Sequence, residues 1–138
     1  MPEMSPFDVS WMVGRKVNVA VRESSYPWFF GLGDSCSIIV ECPWRILQKG
    51  EIRHSSENHA MKHGLPPPIH VAAEANRLLN GSPIVGAEIR QAADLLLDFD
   101  GEVRLEVLPF VPGYESWQLH APEGRHILAG VDGTLSAW

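Results

Sequence analysis

No stretch of this 138-residue chain approaches the roughly 20 consecutive apolar side chains that a membrane-spanning helix needs. The first eight residues carry Glu3 and Asp8, have no basic region and lead into no long apolar run, so no secretory leader is expected there. Basic residues are sparse too. Eleven Lys and Arg stand against 17 Asp and Glu, a formal charge of −6, and they gather into no stripe. Nucleic-acid binding, which needs a positive footprint to displace counterions from phosphate, is thereby disfavoured, and a basic protein partner fits the charge better. The expected location is the cytoplasm of a bacterial cell, with no membrane partner. Cysteine is limited to Cys36 and Cys42, too few for a disulfide framework or a four-ligand zinc site. On one strand they would lie about 20 Å apart, whereas a disulfide needs Cα atoms within about 7 Å, so two buried free thiols are expected.

The usual catalytic signatures are missing as well. There is no G-x-S-x-G elbow, and Gly31-Leu32-Gly33 is followed by neither a third glycine nor a helix, which leaves it as turn chemistry rather than a dinucleotide loop. Of the six histidines, His54, His59 and His63 come nearest to ligand spacing. They sit in a polar stretch without a neighbouring Cys or a HExxH glutamate, and read as solvated loop residues. No metal and no cofactor is expected.

What the chain does have is ordinary globular composition, 45% hydrophobic and 20% charged, and a length that suits one domain over residues 1–138. Trp28-Phe29-Phe30-Gly31-Leu32, a turn at Gly33-Asp34-Ser35, and Cys36-Ser37-Ile38-Ile39-Val40 form a predicted hairpin. Leu95 to Phe99 and Val103 to Val107 form another around Asp100-Gly101-Glu102. Phe99 and Val103 can share the core face only if that loop has three residues, because directly opposed residues point the same way. The two hairpins match at an offset of 67 residues, Trp28 on Leu95 and Val40 on Val107, which suggests an internal duplication of about 14–48 and 81–121. Between the halves, Val71, Ala75, Leu78 and Leu79 predict a helix over about 69–80 that ends at Asn80-Gly81. Residues 50–65 are polar and aperiodic and read as a loop. The C-terminal part returns to strand patterning around Asp132-Gly133, where a two-residue loop would set Ile127 opposite Trp138. The expected fold class is mainly β (α+β): two similar hairpin-containing halves forming a partly closed sheet or small sandwich, with the one helix between them.

The run Trp28 to Glu41 with Trp44-Arg45, the Leu97-x-Phe99 hairpin, Tyr114-Glu115-x-Trp117, Gly124 and the closing Gly133-x-Leu135-x-x-Trp138 resemble a family of small bacterial proteins classed as a domain of unknown function. The resemblance covers most of the chain but not 51–63, and it implies no activity. Some small bacterial proteins of similar build accompany toxins as immunity proteins.

The chemically richest residues fall at matching places in the halves: Glu41, Trp44 and Arg45 in the first, Tyr114, Glu115, Trp117 and His120 in the second. Trp117 follows Trp44 by 73 residues. Charged groups beside Trp suit a binding hot spot, and they equally suit Trp core filler with an ion pair at the rim. Function then divides between a non-enzymatic protein-binding module, immunity-like in one version and homodimeric, and a small-ligand-binding β domain with a pocket between the halves.

Overall fold

The computed structural model describes residues 7–21, 27–58, 70–110 and 115–138. These hold, in order, β1 (Asn18–Val21), β2 (Trp28–Gly33), β3 (Cys36–Val40), β4 (Trp44–Gln48), β5 (Glu51–Ser55), α1 (Val71–Leu79), β6 (Ile84–Ile89), β7 (Leu95–Phe99), β8 (Val103–Val107), β9 (Trp117–His120), β10 (His126–Ala129) and β11 (Leu135–Ala137). A six-stranded sheet runs β1-β2-β3-β9-β10-β11 and a five-stranded sheet runs β5-β4-β8-β7-β6. Both are antiparallel, and neither closes into a barrel. The fold is a mainly β arrangement of sandwich type.

Period-two alternation builds the core. Trp28, Phe30, Cys36, Ile38, Val40, Trp117 and Leu119 of one sheet join Trp44, Ile46, Leu95, Leu97, Leu105 and Val107 of the other in one buried cluster. Trp28 and Trp44 meet edge to face at 4.9 Å, and Phe30 meets Trp44 in the same manner at 5.3 Å. Such geometry adds about 0.5–1.5 kcal/mol per pair beyond the buried area.

The Asp100–Glu102 loop has the three residues that parity requires, with Phe99 opposite Val103 and both buried. The first hairpin turns more tightly than its sequence suggests. Asp34 and Ser35 take φ of 51° and 64°, Gly33 belongs to β2, and a bulge between Gly31 and Gly33 lets Leu32 and Cys36 both face inward. Cys42 lies past the end of β3, not on the same strand as Cys36, and both are free and buried.

Two further expectations are corrected. Residues 51–55 are a strand, not a loop: β5 is an edge strand whose Glu51, Ile52 and Arg53 are exposed, so it shows no apolar alternation. At the C-terminus Ile127 lies opposite Ala137, one residue from the expected partner, because three residues rather than two separate Gly130 from Thr134. The slip sends Trp138 to the outer face, where it is 61% exposed. His59, His63 and Pro66-Pro67-Pro68 lie outside the described residues.

Helix α1 buries Val71, Ala75 and Leu79 and ends at Asn80, whose φ of 46° is the left-handed turn that stops a helix. It packs beside β1 and β5, one outer strand of each sheet. Its Asn76 carboxamide accepts from Val19 N–H at 2.7 Å and donates to Val19 C=O at 2.8 Å, copying on the edge of β1 what a neighbouring strand would do.

The chain crosses between sheets in a regular way. Strands β1 to β3 and β6 to β8 are each consecutive in one sheet, while β4 pairs with β8 and β9 pairs with β3. Val40 opposes Trp117 and Ile39 opposes Gln118 at one seam; Val107 opposes Trp44 and Glu106 opposes Arg45 at the other. The offsets read from the sequence carry the first pairs onto the second, so the seams share one register.

Candidate functional site

The six described residues among the seven singled out by sequence do not form one cluster, because β4 and β9 belong to different sheets. Trp44 and Trp117 are each 1% exposed and lie in the core beneath the two seams. Trp117 Nε1 donates to Ala93 C=O at 2.8 Å, whereas Trp44 Nε1 has no partner among the described residues. Arg45 stands on the outer face of the five-stranded sheet, where its Nε donates to Glu106 Oε1 at 2.6 Å. Arg104 beside it holds Asp98 at 2.7 Å and reaches Glu106 at 4.0 Å, so Arg45 is one member of an ion-pair ladder. The Asp98 hydrogen bond to Arg104 raises that guanidinium's pKa further.

Glu41, Glu115 and His120 belong to the other sheet. The exposed Glu41 and Glu115 flank the β3–β9 seam, and Glu41 N–H donates to Ser116 C=O at 2.8 Å. With Ile39, Gln118 and Leu128 they line an open hollow of about 210 Å³. His120 points outward two residues beyond Gln118, its Nε2 3.2 Å from Gln118 Oε1. Its ring meets His126 edge to face at 4.7 Å, and His126 in turn stacks on Trp138 at 5.2 Å. Burial, with His126 adding to it, lowers the pKa of His120 and keeps the ring neutral to lower pH. Tyr114 lies outside the described residues.

Sequence reasoning missed His126 and Trp138. His126 was readable by parity, since Ile127 and Ala129 face inward and their alternate must face out. Trp138 was hidden by the one-residue slip of β11.

The two outer faces differ in kind. The six strands of the first sheet contain no Asp, Glu, Lys or Arg at all. The second sheet carries Arg45, Glu51, Arg53, Glu88, Asp98, Arg104 and Glu106. Equivalent positions make the contrast sharp: Ile39 and Gln118 stand where Glu106 and Arg45 stand in the other sheet.

The sequence pattern of the Family of unknown function (DUF6188) matches residues 9–138, including the 51–63 stretch. The chain belongs to this family. No curated protein and no solved structure matches it. Among the described residues no group of three or more His, Cys, Asp and Glu could hold a metal ion, and no helix is long and apolar enough to cross a membrane. His54, on β5, is half-buried, and that burial lowers its pKa.

Proposed function

We propose that the chain is a non-enzymatic protein-binding module whose recognition surface is the outer face of the six-stranded sheet. The observation that carries this reading is the missing charge. Half-buried Phe29, Ile39 and Leu128 and the His120-His126-Trp138 stack lie on a face with no Asp, Glu, Lys or Arg in its strands, rimmed by exposed Glu41 and Glu115. Interface centres are depleted in charge and enriched in aromatics, with polar groups at the rim. The acidic rim and the net charge of −6 favour a partner that presents an apolar patch edged by basic residues. An immunity-like role, with a toxin as that partner, is one instance. The ligand-pocket alternative has less support. The hollows at the two seams, about 210 and 270 Å³, are open and smaller than the roughly 300–1,000 Å³ of small-molecule sites. We also propose that 14–48 and 81–121 are copies of one ancestral unit, on the strength of the common seam register.

Photo-crosslinking side chains placed at Ile39 and Leu128, and for comparison at Arg45 and Arg104, test the function inside cells that make the protein. Adducts with a second polypeptide are expected from Ile39 and Leu128 alone. Equal adducts from both faces, or none from the six-stranded one, would reject the proposal.

A further inference from the structure

We infer that β11 is a pairing edge for a second copy of this chain, joining two six-stranded sheets into one. The inference rests on the edge of the sheet and is independent of what its outer face binds.

An outer strand leaves a row of unpaired N–H and C=O groups, which folds guard with charge, bulges or a covering segment. Among the described residues, three of the four outer strands are guarded. On β1 the Asn76 carboxamide occupies both groups of Val19. The β5 strand exposes Glu51 and Arg53, and its pairing with β4 is broken by a bulge between Ile46 and Leu47. The β6 strand carries Glu88 and a bulge between Ile84 and Gly86, and its start is held by residues 14–16: Gly14 N–H donates to Ile84 C=O, and Ile84 N–H to Arg15 C=O, both at 2.8 Å. The fourth, β11, reads Leu-Ser-Ala, pairs with β10 without a register shift, and is covered by no strand or helix among the described residues.

The hydrogen-bond pattern shows which groups are left over. His126 and Trp138 exchange both backbone bonds, at 2.8 and 3.1 Å. Alternation along an antiparallel pair then turns the N–H and C=O of Leu135 and Ala137 away from β10. Antiparallel pairing about a two-fold axis sets Leu135 against the copy's Ala137, and Ala137 against the copy's Leu135, each exchanging two bonds. Ser136 falls on the axis opposite the copy's Ser136.

Self-complementarity selects a second copy as the occupant, since Leu135 and Ala137 of one chain supply the groups that Ala137 and Leu135 of the other require, and charge does not oppose it. Chains of net charge −6 repel one another unless they meet where charge is absent, and the strands flanking this junction, β9 to β11, contain no Asp, Glu, Lys or Arg. The 61% exposed indole of Trp138 lies next to the junction and gains cover from the copy.

Sedimentation of the full chain at micromolar concentration is expected to give twice the 15.3 kDa of one chain. Ser136→Lys, a change at an exposed position, should give a folded monomer by circular dichroism and sedimentation. Ser136→Cys should cross-link to a covalent dimer under diamide, because a non-hydrogen-bonded antiparallel pair brings Cα atoms to about 4.5 Å, within disulfide range. The native thiols are both buried and do not compete. A monomeric wild-type chain would overturn the inference, as would a wild-type dimer whose Ser136→Cys form stays uncross-linked.

Discussion

Cys42 shows how a single side chain can be buried for a reason that strand parity does not contain. Cys36 alternates with Ile38 and Val40 on β3 and was readable as an inward thiol. Cys42 lies in the three-residue link that carries the chain from one sheet to the other, and it is 0% exposed. Burial pushes its thiol up to about 12, with Asp94 adding to the effect. An unfolded cysteine ionises near pH 8.5–9 while the folded one keeps its proton, so the group has no effect on stability at neutral pH. Above that the unfolded state alone loses a proton, and stability falls between about pH 9 and 12 by roughly 1.4 kcal/mol per pH unit. Urea unfolding of the wild type at pH 7, 9 and 10.5 should show this loss, and Cys42→Ala should show less of it. Parallel slopes in the two proteins would contradict the assignment. Thiol titration at neutral pH should find neither cysteine before denaturant and both after it.

Among the elements, α1 and the two hairpins were legible because local chemistry determines them. Apolar spacing ends at a left-handed Asn80, and Asp100-Gly101 marks the tight turn. Outer strands are harder to read, since a strand with one neighbour and one wet side obeys neither an apolar run nor a strict alternation; β5 was lost this way, and β11 was found in the wrong register. The role of Asn76 was equally out of reach, because its partner Val19 is 57 residues away. Replacing it with Leu strips β1 of both hydrogen bonds and leaves two backbone groups of Val19 unmatched. A loss of about 1–3 kcal/mol is expected in denaturant unfolding. Asn76→Asp keeps the acceptor for Val19 N–H but turns a carboxylate oxygen toward Val19 C=O, so it should destabilise as well. If Asn76→Leu unfolds at the wild-type midpoint, the edge is held by other contacts.

For the molecule as a whole, the asymmetry between its outer faces matters more than any one residue. Candidate residues were recognised in the sequence by their chemistry, but no local pattern reveals that β4 and β9 go to opposite sheets, which separates Arg45 from Glu115 and His120. The shared seam register makes a direct exchange of character feasible. Ile39→Glu with Gln118→Arg reproduces on the uncharged sheet the pair that Glu106 and Arg45 form on the charged one. Each single change should destabilise the fold, and the double variant should recover about 0.5–1 kcal/mol of their summed cost in a double-mutant cycle. Zero coupling would mean that the two seams differ in side-chain geometry despite their common backbone register. A double variant that folds but no longer yields partner adducts from Leu128 would follow from the proposed surface.

The crossing of strands between sheets also has a consequence in time. Among the described residues the free side of β3 is covered by β9, and residue 36 leaves the ribosome about 80 residues before residue 117. At roughly 5–20 residues per second, that edge waits on the order of 4 to 16 seconds for its partner. Throughout the wait a nascent Cys-Ser-Ile-Ile-Val strand, with no charge of its own, is open to any other chain emerging nearby. The hazard of this fold is therefore concentrated in its synthesis, and slowing translation between residues 41 and 116 should lower the soluble yield more than slowing it after residue 120.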